Sequence, residues 1–417
     1  MAHSHLFIVL ACSFGFFMAW GIGANDVANA MGTSVGSKAL SIKQALIVAA
    51  IFETAGAILA GGQVTATIRN GIVDPNLFAS TPEIFIYGML AALLAAGVWL
   101  LVASYFGWPV STTHSIVGAI IGFGLVNLHA HSIHWGVVVT IALSWVVTPI
   151  IAGIIAYLVF ISIRQLIFYG PDPAARVTIV MPFYVLVVAF VISLVTFTKG
   201  LQHLTVHIDV ADSVLYSCII GVVVMLVSWG LLQRRHRKFG KQQDIHMIEK
   251  YFGLMMVFTA CAMAFAHGSN DIANAIGPLA AIISVVQSGG SLAANTPLPP
   301  WILFFGAAGI VAGLGMYGHK VIATIGTQIT SLTPSRGFAA SLATAMTVVI
   351  ASGTGLPIST TQTLVGAVLG VGLARGFAAL NLNVVRNVFM SWVVTLPAGA
   401  ALAIIFFYLI KAAMQFV

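Results

Sequence analysis

Asn25-Asp-Val-Ala-Asn-Ala-Met-Gly32 and Asn270-Asp-Ile-Ala-Asn-Ala-Ile-Gly277 agree at six of eight positions. Each follows an apolar run, 6–22 in one case and 250–267 in the other. Reading outward, Pro109-Val-Ser-Thr-Thr-His-Ser-Ile-Val-Gly118 pairs with Pro357-Ile-Ser-Thr-Thr-Gln-Thr-Leu-Val-Gly366. A weaker pair follows, Ser144-Trp-Val-Val-Thr-Pro149 and Ser391-Trp-Val-Val-Thr-Leu-Pro397. The order is the same in both halves, so the chain reads as a duplication with a first repeat over 1–165 and a second over 250–417. Residues 166–249 link them through two further spans and a basic loop.

The surroundings of these motifs set the solvent. Of 417 residues, 60% are hydrophobic and 6% charged, against ~25% charged in a soluble domain. A bilayer core of ~30 Å takes ~20 apolar residues per helix. Twelve segments fit in whole or part, near 6–22, 44–62, 83–104, 111–127, 135–163, 179–198, 211–232, 250–267, 301–317, 337–354, 357–374 and 386–413. They are apolar on every face, which excludes the alternating strands of a barrel. The expectation is an all-α integral membrane protein with about 12 spans, some broken or re-entrant. The first apolar stretch has no Lys or Arg before it and runs into the Asn-Asp motif, so it is not read as a signal peptide.

The net charge of +7 is not a nucleic-acid footprint, because the basic residues sit in short loops. Placing Arg234-Arg-His-Arg-Lys238 in the cytoplasm puts every Lys and Arg inside except Arg69, Lys199 and Lys411. Both termini then face outward. The first span and its repeat lie seven crossings apart, an odd number, so the halves are expected to be inverted, as in secondary transporters.

Three acids lie within apolar spans: Asp26, Glu53 and Asp271. The two aspartates occupy equivalent positions beside Asn25 and Asn270. Asn29 and Asn274 follow three residues after each aspartate, on the same helical face. Carboxylate and amide oxygens suit a hard cation, so these six residues are read as cation ligands. Glu53 is read either as an auxiliary cation or proton site or as a partner of neighbouring polar groups.

Ser111, Thr112 and Thr113, with Ser359, Thr360 and Thr361, follow prolines and read as helix starts. Helix starts bind anions through exposed N–H groups, and hydroxyls add donors. Two inverted copies would clamp a tetrahedral anion from opposite sides. With no Lys or Arg beside them, bound cations supply the counter-charge. His114 and His267 are unequal to their counterparts Gln362 and Ile22, and are read as packing or hydrogen-bonding residues. His129, His131 and His134 read as a solvated loop. Cys12, Cys218 and Cys261 read as small core residues, and Gly and Ala pairs as close-packing positions.

These residues resemble the signatures of the inorganic phosphate transporter (PiT) family. Gly23-Ala-Asn-Asp-Val-Ala-Asn-Ala and Gly268-Ser-Asn-Asp-Ile-Ala-Asn-Ala carry the likeness, with Trp108-Pro-Val-Ser-Thr-Thr-His and Leu356-Pro-Ile-Ser-Thr-Thr-Gln. The resemblance implies a homodimeric symporter of inorganic phosphate in the plasma (inner) membrane, with sodium as coupling ion, no cofactor and no enzymatic activity. Proton-coupled phosphate or sulfate carriage within the family is the alternative, and an ion channel a more distant one.

Overall fold

The computed structural model describes residues 3–128, 133–201, 208–239, 245–290, 298–328, 332–376 and 382–415. The regular structure among the described residues is helical, apart from an isolated bridge between Val73 and Ile133. The helices are α1 (Ser4–Gly36), α2 (Ile42–Ala60), α3 (Gly62–Ala66), α4 (Pro82–Phe106), α5 (Thr112–Leu128), α6 (Trp135–Ile163), α7 (Pro173–Val195), α8 (Val210–Phe239), α9 (Ile245–Gln287), α10 (Pro300–Gln328), α11 (Pro334–Gly353), α12 (Thr360–Arg375) and α13 (Leu382–Met414).

Each of the twelve expected segments is a helix, and among the described residues ten helices are long and apolar enough to cross a membrane. The two exceptions are α5 and α12, of 17 and 16 residues. At 1.5 Å per residue they are about 24–26 Å long, short of the ~30 Å hydrocarbon core. Both begin at a Ser-Thr-Thr motif, so the motifs lie at helix starts.

Two expected boundaries were too short. The spans near 6–22 and 250–267 stop before the Asn-Asp motifs, where polar residues lower the local hydropathy. In the structure α1 and α9 run straight through, with 33 and 43 residues. Main-chain hydrogen bonding within the helix carries it past the polar motif, and the motif side chains are buried. Cys218 is also corrected: it is exposed on α8, while Cys12 and Cys261 are half-buried. Arg69, expected in an outside loop, is 7% exposed in a π-helical turn (Thr67–Gly71). There it donates to Ser284 Oγ at 2.6 Å.

The packing repeats itself between halves. Helix α1 lies against α10, and α9 against α2. Helix α6 lies against α12, and α13 against α5. Each half therefore lends helices to the other. The first two crossings are close because glycines make them so. A Cβ on Gly23 would lie 1.9 Å from Ile310 O, and one on Gly313 1.8 Å from Trp20 O. Gly56 and Gly268 do the same for α2 and α9, at 2.0 Å from Phe265 O and 2.1 Å from Glu53 O. Small residues let backbones touch where lipid supplies no hydrophobic drive.

Candidate functional site

Two glycines aim the short helices. Gly107 ends α4 with φ 69°, and Gly355 follows α11 with φ 76°. This left-handed backbone is cheap only for glycine. The chain turns there into Trp108-Pro109-Val110 and Leu356-Pro357-Ile358, then starts α5 and α12. Ser111 Oγ accepts from His114 N, and Ser359 Oγ accepts from Gln362 N, both at 3.2 Å. The two serines are thus N-caps.

Side chains from α1 and α9 meet these starts in matching pairs. Asn25 Nδ2 donates to Ser104 Oγ (3.2 Å) and Trp108 O (3.0 Å). Asn270 Nδ2 donates to the equivalent Ser352 Oγ and Leu356 O, each at 3.2 Å. Asn29 Nδ2 reaches into the other half and donates to Thr361 Oγ1 at 2.8 Å. Asn274 Nδ2 crosses the opposite way to Thr112 Oγ1 and Thr113 Oγ1, each at 3.2 Å. The starts are also laced to each other. Thr113 Oγ1 donates to Ile358 O (2.8 Å), and Thr361 Oγ1 to Val110 O (3.2 Å).

The aspartates lie between the two starts. Asn29 Nδ2 donates to Asp26 Oδ1 (3.1 Å), and Thr360 Oγ1 donates to Asp271 Oδ2 (2.7 Å). Ligand atoms of Asp26, Asp271 and His267 lie within 4.8 Å of one another. His267 Nε2 is 3.0 Å from Asp271 Oδ2, and its Nδ1 is 3.2 Å from Glu53 Oε1. Glu53, whose role the sequence left open, is buried with His267 beside it.

All twelve motif residues read from the sequence are brought together, and none is more than 2% exposed. Ser111 and Ser359 each also accept a backbone N–H of their own helix start. His267 is the residue the sequence reading left outside the site. Its spacing of four from Asp271 was the available signal, but the apolar Ile22 at the equivalent place hid it. His114 behaves as expected, its ring tilted against that of Trp145 with centroids 3.8 Å apart and its Nδ1 3.3 Å from Trp392 O. His134 is exposed, with Nδ1 3.1 Å from Gly71 O. His129 and His131 lie outside the described residues.

Several buried oxygens have no hydrogen-bond partner among the described residues: Asn25 Oδ1, Asp26 Oδ2, Asn270 Oδ1, Asp271 Oδ1 and Asn274 Oδ1. Buried polar atoms are normally paired, and an orphaned carboxylate oxygen is the costliest kind. Five such oxygens on two facing helices form an oxygen-rich donor set of the type that hard cations take. The helix starts beside them offer N–H groups and positive dipole ends to an anion.

A helical membrane protein that combines oxygen ligands with paired helix starts has the fittings of an ion carrier. The comparisons make the class definite. A model described as the phosphate transporter family matches residues 22–403. A putative phosphate permease of Haemophilus influenzae is 53% identical over 399 residues, 95% of each chain. The chloroplastic inorganic phosphate transporter 2-1 of Arabidopsis thaliana is 44% identical, across 97% of this chain and 72% of that one. A solved structure titled the sodium-dependent phosphate transporter superposes with TM-score 0.92 at 37% identity, covering 98% and 99% of the two chains. The chain belongs to the phosphate transporter family.

Proposed function

We propose that the protein is a sodium-coupled symporter of inorganic phosphate that works by alternating access. The observation carrying this reading is the set of five unpartnered oxygens on α1 and α9 beside two laced helix starts. Sodium ions take the oxygens of Asn25, Asp26, Asn270, Asp271 and Asn274. Asn29 orients Asp26 and Thr361. Phosphate sits at the starts of α5 and α12, where its oxygens replace the threonine-to-carbonyl contacts. Without cations, two carboxylates within this short range would repel the anion. With them, each ion improves the site for the other, which is coupling.

The depth of burial supports alternating access, because ligands sealed in this way enter only when helices move. The duplicated motifs and the matched packing of the halves support an inverted repeat with the site near the midplane. A homodimer in the plasma membrane, with both termini outside, remains part of the proposal by family resemblance and by the charge asymmetry of the loops.

One observation favours a second reading. An imidazole bridging Glu53 and Asp271 is a proton-exchanging arrangement inside the site, which suits proton coupling. Purified protein in liposomes separates the two. Radiolabelled phosphate uptake should be driven by an imposed sodium gradient at equal pH and resist excess sulfate. Uptake driven only by a proton gradient would replace sodium by protons, and dominance of sulfate would remove the phosphate assignment.

A further inference from the structure

Helix α2 stops at Ala60, and the chain continues as α3 and the π-helical turn Thr67–Gly71. Such turns interrupt the regular ladder and occur often at functional sites. Three consecutive residues of this strap hold two different elements. Thr67 Oγ1 donates to Gly355 O at 2.7 Å. Ile68 packs on α9, where a Cβ at Gly277 would lie 2.6 Å from Ile68 Cγ2. Arg69 Nη2 donates to Ser284 Oγ, further along α9. The strap therefore joins the helix carrying Asn270, Asp271 and Asn274 to the turn that aims α12.

The two glycine turns are equivalent in sequence but unequal in cover. Gly355 and Pro357 are buried, whereas Gly107 and Pro109 are half-buried and Trp108 is 47% exposed. The strap supplies part of that cover, since a Cβ at Gly355 would meet Gln63 O and Thr67 Oγ1, each at 3.5 Å. In a duplicated carrier that opens to one side at a time, equivalent places must differ in any single state. The strap sequence is itself duplicated. Val64-Thr-Ala-Thr-Ile68 and Val321-Ile-Ala-Thr-Ile325 agree at four of five positions. Helix contacts set the same register, because Gly56 on α2 and Gly313 on α10 sit at the paired backbone crossings. Thr67 and Thr324 each follow 11 residues after those glycines.

We propose that the Thr67 hydroxyl is a latch that holds the Gly355 turn against the strap and so keeps this side of the central site shut. The inference rests on the alternating-access reading and deepens it by assigning a closing contact. The loop charges place this end of α2 outside, so the latch closes the outer side. A latch has to release in every cycle. One neutral hydrogen bond is suited to that, because it biases an equilibrium by only about two- to tenfold.

The test places spin labels at Ala66→Cys, exposed on the strap, and Thr354→Cys, exposed beside the turn. The background is the full chain lacking Cys12, Cys218 and Cys261, reconstituted in liposomes. Dipolar broadening reads the fraction of molecules in which strap and turn are together. Thr67→Val keeps the volume and removes the hydroxyl. It should raise the ratio of separated to joined molecules about two- to tenfold over the parent. Thr67→Ser keeps the hydroxyl and should give the parental ratio. Equal broadening in the parent and Thr67→Val would overturn the latch. A lowered thermal midpoint with unchanged broadening would overturn it too, since that marks a hydroxyl that only packs. Should Thr67→Val fail to fold, Thr67→Ala removes the same hydroxyl and is read in the same way. The alternating-access reading is judged apart, in the parent alone. There, sodium and phosphate together should shift the broadened fraction, and an unmoved fraction would remove that reading.

Discussion

Thr113 and Thr361 each do two things: they donate across to the opposite half's backbone, and they accept from an asparagine of the opposite half. Thr113→Val and Thr361→Val keep the volume and remove the hydroxyl. A lost hydrogen bond to a charged group costs ~1.5–3 kcal/mol, so half-saturating phosphate should rise about ten- to a hundredfold. Half-saturating sodium should change less, as read by uptake in liposomes. Equal parental phosphate dependence in both variants would make the motifs structural caps alone. Asp26→Asn and Asp271→Asn keep shape and burial but remove the charge a cation needs. Each should abolish sodium-driven uptake while the purified protein elutes as the parent does; sodium dependence retained in either variant removes that residue from the ligand set. These residues were legible because they occur twice, and duplication distinguishes an expensive buried carboxylate from an accident. His267 and the serine caps were not equally legible. The first has an apolar counterpart, and the second depends on where the helix begins, which sequence places only to within a few residues.

At the scale of elements, the twelve apolar segments could be read from composition, because a bilayer imposes their length and character. The interior of α1 and α9 could not, since hydropathy falls at the motif while backbone hydrogen bonding continues. Nor could the exchange of partners between halves, which is a property of surfaces meeting rather than of any segment. Glycine contacts are the physical basis of that exchange, and they give a stability prediction. Gly23→Ala places a methyl group 1.9 Å from Ile310 O, and neither backbone can yield without separating α1 from α10. Overpacking of this kind costs about 1–3 kcal/mol. The thermal unfolding midpoint in detergent should fall clearly. Gly315→Ala, on the exposed face of α10 with open space around it, should leave it unchanged or raise it slightly through helix propensity. Equal midpoints for the two variants would mean that α1 and α10 are not held at backbone contact.

At the scale of the molecule, Arg164, Arg336 and Arg375 were assigned to one side by counting crossings, and the fold brings them to one cavity. Their crossings therefore have consistent parity. The side itself is open to test in a background lacking Cys12, Cys218 and Cys261. With outward termini, Ser4→Cys and Gln415→Cys react with an impermeant maleimide on intact cells, and Lys250→Cys reacts only after permeabilisation. The reverse pattern would invert the molecule.

The central claim is that cations on Asp26 and Asp271 supply the charge that lets paired helix starts hold phosphate. Linkage makes this measurable at equilibrium, because two ligands that favour each other must do so reciprocally. The direct measurement is radiolabelled phosphate binding to purified protein across a sodium titration at fixed pH and ionic strength, for the parent and Asp271→Asn. The account predicts that phosphate affinity rises steeply with sodium in the parent, by tenfold or more for about 1.4 kcal/mol of coupling, and stays flat in the variant. Phosphate binding independent of sodium in the parent, or an undiminished sodium response in Asp271→Asn, would contradict it.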